Sequence, residues 1–197
     1  MNIITHTYSW KKALSARVKT KYIILHHRAG NGDVESIHKT HLANGWAGIG
    51  YHFYIRKNGE IHQGRPIKNI GAHCEGFNAV SIGICFEGNF QNEAMPKKQF
   101  DAGRELINYI RGLYPEVEIK KHEDFNSTVC PGKNFPFDEI TTIAKKELES
   151  ANDIVWELMN GPLKVEISEV DRAVDALNKA KTENSSLYWI LKKLANR

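Results

Sequence analysis

Cysteine is scarce in this chain. Cys74, Cys85 and Cys130 are its only three in 197 residues. The odd count, at spacings that match no zinc ribbon, excludes a disulfide-stapled scaffold. Long apolar runs are missing as well. No segment approaches the roughly 20 residues of a membrane-spanning helix. The opening stretch, MNIITHTYSWKKALSARVKTK, has no apolar core of leader-peptide length. The expectation is a chain without a signal peptide, folded in a reducing cytoplasm and released by other means if it works elsewhere. A strong charge of either sign is absent too. The 27 basic and 23 acidic residues leave a net +4, and no lysine- or arginine-rich tract points to nucleic acid. The small positive excess suits an anionic surface. Internal repeats and low-complexity tracts are not found.

Alternating strand and helix patterns are present. KYIILHH (21–27) is a β-branched apolar run and predicts a buried strand. GDVESIHKTHLANG (32–45) predicts a helix with Asp33 as N-cap and Gly45 as its stop. GIGYHFYIRKNGEIHQGRP (48–66) predicts a hairpin, with Asn58-Gly59 in a type I′ turn. Residues 79–90 predict a strand with Ser81, Gly83, Cys85 and Glu87 on one face. Residues 96–114 predict a helix, 116–122 a strand ending in His122, and 136–150 a further helix. The alternation predicts an α/β fold, a single mixed β-sheet flanked by helices. Past residue 150 the pattern changes. Ile167, Val170, Val174 and Leu177 form one helical stripe, and Leu187, Ile190, Leu191 and Leu194 another. The expected organisation is a domain over 1–150 and a small C-terminal helical appendage over 151–197. That appendage is too short for much of a core of its own. It is read either as a packed or dimerising helical pair, giving a homodimer, or as a basic, aromatic binder of an anionic polymer.

Histidine is abundant, with nine residues. His26 and His27 end the first predicted strand and His122 ends a later one. Cys130 follows in the polar loop KKHEDFNSTVCPGKNFP, an unusual setting for a residue normally buried as a small hydrophobe. A catalytic zinc takes three nitrogen or sulfur ligands and leaves a fourth position open. His26, His122 and Cys130 fit that count. Spacing alone leaves a hydrogen-bonded histidine the commoner outcome.

Four motifs in this order carry more. ILHHRAG, GIGYHFYIRKNGEIHQGRP, GAHCEGFNAVSIGICFEGNF and KKHEDFNSTVCPG together resemble the type 2 N-acetylmuramoyl-L-alanine amidases, which include phage lysins and the peptidoglycan recognition proteins. The resemblance covers roughly residues 20–140. It implies the peptidoglycan-recognition fold and one Zn2+ ion held by His26, His122 and Cys130. It implies hydrolysis of the amide bond between N-acetylmuramic acid and L-alanine in bacterial peptidoglycan. Tyr51 matches a residue beside the scissile carbonyl. Thr128 stands where phage members can carry lysine, so a hydroxyl replaces a cation as oxyanion partner. Cys85 stands where some members have a glutamate base, which leaves Glu87 or Tyr51 as candidate base. His73 and Asn78 lie in the motif of the substrate groove. Arg65 is read either as a contact to an anionic peptide stem or as the partner of a carboxylate. Trp46 is read either as groove lining or as core. With no signal peptide expected, the resemblance favours an endolysin kept in the host cytoplasm until it is released to the wall. A cytoplasmic wall-recycling amidase and a non-catalytic peptidoglycan-binding module are the alternatives.

Overall fold

The computed structural model describes residues 1–114 and 116–142. One compact unit, Met1–Arg104 with Glu116–Ile140, holds every candidate site residue. The appendage expected at 151–197, its dimer and polymer contacts and the boundary at residue 150 lie outside the described residues.

Among the described residues there are six strands: β1 (Ile3–Ile4), β2 (Tyr22–His27), β3 (Phe53–Ile55), β4 (Ile61–Gln63), β5 (Ser81–Phe86) and β6 (Glu118–Lys121). They form one mixed sheet in the order β1-β4-β3-β5-β2-β6. Only β3 and β4 pair antiparallel; the other neighbours are parallel. A parallel strand covered on both faces has no solvent side, so it reads as a continuous apolar run. β2 is such a strand, with Ile23, Ile24 and Leu25 fully buried.

The helices among the described residues are α1 (Val34–Ala43), α2 (Lys97–Leu113) and α3 (Phe137–Thr141). Asp33 caps α1 as expected, its carboxylate accepting the Ser36 N–H at 2.7 Å. Val34 and Ile37 of α1 pack with Tyr54 and Cys85 on one face of the sheet. The start of α2 meets the other face. The Gln99 amide donates to the carbonyls of Ile55 and Glu87, both at 2.9 Å. A methyl at Gly103 would come within 2.7 Å of Phe86. Cys85 and Phe86 are consecutive and so point to opposite faces. The mixed sheet with flanking helices is therefore the predicted architecture.

Three local expectations are corrected. The hairpin turn is not type I′, which needs positive φ at both central residues. Gly59 has φ 91°, and Asn58 is not in that region. Gly59 N–H donates to Arg56 and Arg56 N–H to Glu60, both at 2.9 Å. The result is a three-residue loop, a type I turn closed by a left-handed glycine. The strand expected over 79–90 is shorter, because Asn78–Val80 form a 3₁₀ turn before it. His122 opens a 3₁₀ turn, His122–Asp124, instead of ending a strand. The edge strand β1 has no counterpart among the predicted elements. Its two residues, Ile3 and Ile4, are too few to show a period. The later part of the helix expected at 136–150 lies outside the described residues.

Candidate active site

Parallel registry builds the site. β6 pairs with β2 up to Leu25 and Lys121. One residue further on, at the same end of the sheet, stand His26 and His122. Their rings lie 4.4 Å apart, centroid to centroid. Cys130 returns to the same point through the loop after His122. Its sulfur is 3.8 Å from His26 Nδ1 and accepts the His27 N–H at 3.3 Å. One ligand atom from each of His26, His122 and Cys130 lies within 4.8 Å of the others. Among the described residues, this is the one group of three or more such side chains close enough to share a metal ion.

The donor set fits a zinc ion with three protein ligands. Each histidine already spends its Nε2 elsewhere. His26 Nε2 faces His73 Nδ1 at 3.0 Å, and His122 Nε2 faces Asn126 Oδ1 at 3.1 Å. Ligating histidines usually donate their other nitrogen in this way, which fixes ring and tautomer. Behind His73, its Nε2 lies 3.4 Å from the Ser81 hydroxyl, which donates to the Phe77 carbonyl at 2.8 Å. Proton donation can therefore run in one direction from His26 to Phe77. Burial, aided by His122 and His27, holds His26 well below the usual histidine range. It stays neutral, as a metal ligand must be. Burial pushes the Cys130 thiol up to about 12. Such a thiol ionises near neutrality only beside a cation.

An open groove of about 940 Å³ runs over this cluster. Tyr51, His73, His122, Thr128, Trp46 and Lys12 are among the residues that line it. Trp46 is 45% exposed, so it is groove lining and not core. The Tyr51 ring sits 5.2 Å from that of His26. Burial and the neighbouring Cys85 and Cys130 sulfurs push its hydroxyl well above the ordinary tyrosine range. The hydroxyl is therefore held in its protonated form, in which it offers a hydrogen-bond donor. Thr128 turns its Oγ1 to accept the Cys130 N–H at 3.3 Å.

The family model for N-acetylmuramoyl-L-alanine amidase matches residues 16–133, more than half of the chain. The chain belongs to this amidase family. The endolysin of Enterobacteria phage K11 is 30% identical over 130 residues, spanning 61% of this chain and 86% of the relative. Peptidoglycan-recognition protein SC2 of Drosophila melanogaster is 34% identical over 134 residues, spanning 61% and 72%. Among solved structures, the N-acetylmuramoyl-L-alanine amidase LysC from Clostridium intestinale superposes with a TM-score of 0.69 at 40% identity. That match covers 71% of this chain and 95% of the other. Amidase activity and the mixed-sheet fold follow from this membership.

Within the amidase groove the remaining expected residues take distinct places. Asn78 lines it, yet its Oδ1 already accepts the N–H groups of His73 and Cys74, at 2.7 and 3.0 Å. Arg65 also lines it but is buried. Its guanidinium donates to the Ile49 and Ile70 carbonyls at 3.0 and 2.8 Å. Backbone oxygens, not a carboxylate, are its partners. Glu87 is not brought to the groove. Its two carboxylate oxygens accept the N–H groups of Gly32 and Lys57, both at 3.0 Å, and the Arg56 guanidinium lies 3.4 Å away. Of the two candidate bases, Glu87 is thus kept from the groove: it lies on the same strand face as Cys85 but a full pleat further on. Its hydrogen bonds to loops at the strand's end hold its carboxyl below the usual range.

Two further residues that line the groove, Asn126 and His41, are not singled out by the sequence. Asn126 sits in a polar loop, but four residues beyond His122 in a helical turn it falls beside that ring. His41 lies in the last turn of α1. Its Nδ1 accepts the Gly50 N–H at 3.0 Å, and its ring lies 4.6 Å from that of Trp46, tilted by 59°. The nearby GIGY motif was the available signal.

Proposed function

We propose that this amidase is zinc-dependent, cuts the bond between N-acetylmuramic acid and L-alanine in bacterial peptidoglycan, and serves as an endolysin. The observation that supports this most is Cys130 beside His26 and His122 under an open groove. When bound, zinc supplies Lewis-acid activation of water and of the amide carbonyl. His26 and His122 hold neutral rings, and Cys130 contributes a thiolate. His73 accepts from His26 and keeps that ring in one tautomer. Tyr51 O–H donates to the oxygen of the scissile carbonyl as charge develops there, and Thr128 O–H, which lines the same groove, adds a second donor. A neutral hydroxyl at 128 supports less charge than a cation would. Asn78 shapes the loop under the substrate, and Trp46 covers apolar parts of the glycan or stem.

The endolysin reading is supported by likeness to phage K11 endolysin, and it implies cytoplasmic synthesis followed by release to the wall. Likeness to peptidoglycan-recognition protein SC2 favours a second reading, a binding module that does not cleave. Mass analysis of peptidoglycan digested by the purified, zinc-loaded chain decides between them. Release of stem peptides with a free L-alanine amino group is the expected result. A folded, loaded chain that binds wall and releases none sinks the catalytic reading.

A further inference from the structure

An imidazole binds a metal only through the nitrogen that carries no hydrogen, so something must choose the tautomer. For His26 the acceptor is His73. For His122 it is Asn126, whose Oδ1 lies 3.1 Å from His122 Nε2. An amide can be turned either way, and its other partners decide which. The Cys74 thiol donates to Asn126 Oδ1 at 2.9 Å. Asn126 Nδ2 in turn lies 3.5 Å from the Glu75 carbonyl. A reversed amide would turn its NH₂ towards the Cys74 thiol and set its oxygen against the Glu75 carbonyl. With Oδ1 held as acceptor, His122 carries its hydrogen on Nε2 and its lone pair on Nδ1. Cys74 is itself fixed, because Asn78 Oδ1 accepts its N–H together with that of His73.

We propose that Asn126, oriented by the Cys74 thiol, is the positioning residue of His122 and sets the tautomer in which His122 binds zinc. The inference rests on the metal reading above. One short loop then serves both imidazoles. His73 takes the hydrogen of His26 directly, and Cys74 acts on His122 through Asn126. It also gives Cys74, a thiol that is not a ligand, a part in the centre.

Zinc affinity of the full chain, measured by competition with a chromophoric chelator, tests this, with thermal midpoints of the metal-free chains as the control for folding. Asn126→Ala is expected to lower affinity by roughly ten- to a hundredfold. Asn126→Asp keeps an acceptor and is expected to stay close to wild type. Cys74→Ser keeps a donor and is expected to bind normally, whereas Cys74→Val loses it and weakens binding severalfold. Equal losses in Asn126→Ala and Asn126→Asp overturn the proposal, and equal affinity in the two Cys74 variants removes the thiol's part. Wild-type affinity in Asn126→Ala, beside none in His122→Ala, overturns the clip and leaves the metal site standing. Wild-type affinity in His122→Ala removes the metal site and the clip together.

Discussion

Oxygen in place of the Cys130 sulfur tests what that atom does. The thiol is 7% exposed and touches the backbone of His27 and the ring of His26. Serine fits the same space and can keep the His27 hydrogen bond, but it is a poor zinc ligand near neutrality. Cys130→Ser is expected to lower wall hydrolysis by orders of magnitude with the far-UV circular dichroism unchanged. Retained hydrolysis would end the zinc proposal. Glu87 predicts the opposite pattern. Its buried carboxylate satisfies two backbone N–H groups and faces Arg56, so Glu87→Gln should cost about 1–3 kcal/mol of stability. The kcat/KM of the folded variant should stay within a few-fold of wild type. A large fall in kcat/KM with stability intact would restore Glu87 as a base. These two residues mark the limit of legibility. His26, His122 and Cys130 stood out in the sequence because each is an odd residue in its setting and four motifs bracketed them. Glu87 misled because period-2 alternation says which face a side chain takes, not how far along the strand the active end lies.

At the scale of elements, the strand that matters most for the site is β5, through a side chain it omits. A Cβ on Gly83 would lie 2.5–2.7 Å from ring atoms of His73. That ring fills the space and reaches His26. Gly83→Ala should therefore push His73 off His26. The expected outcome is weaker zinc binding and lower activity, measured by chelator competition and peptidoglycan digestion, in a chain that still shows its sheet by circular dichroism. Zinc affinity equal to wild type would show that His73 does not orient His26. Glycine inside a strand signals a close approach, but the sequence does not say by whom. The same holds for most elements. The central strands and α1 were legible, because continuous apolar runs and an Asp33 cap are local signals. The three-residue loop at Gly59 was not, since Asn-Gly suits more than one turn and the strand ends choose between them. Neither was β1, whose pairing with β4 joins segments nearly 60 residues apart.

Across the whole molecule, folding buries neutral imidazoles, and this couples stability to pH. Burial lowers His41 to about 4 and His52 to about 3. His52 is packed in the interior, with Nδ1 accepting the Gly83 N–H at 3.0 Å and Arg17 beside Nε2. In the unfolded chain both rings protonate near pH 6.5. Between that value and about 4, the unfolded chain therefore holds more protons than the folded one. Stability rises with pH wherever that is so. The stability of the metal-free chain is thus complete above about pH 7 and declines as pH falls through 6.5. The decline continues until His41 and then His52 protonate in the folded state, near 4 and 3. Carboxylates such as Glu87 and Asp33, held below their usual range, add losses only at the acidic end. The interval from pH 7 to 5 consequently isolates the histidines. The urea midpoint should drop across it, and His52→Gln, which removes the titrating ring, should make the drop shallower. A midpoint that stays level from pH 7 to 5 would mean that these imidazoles are not held neutral by the fold.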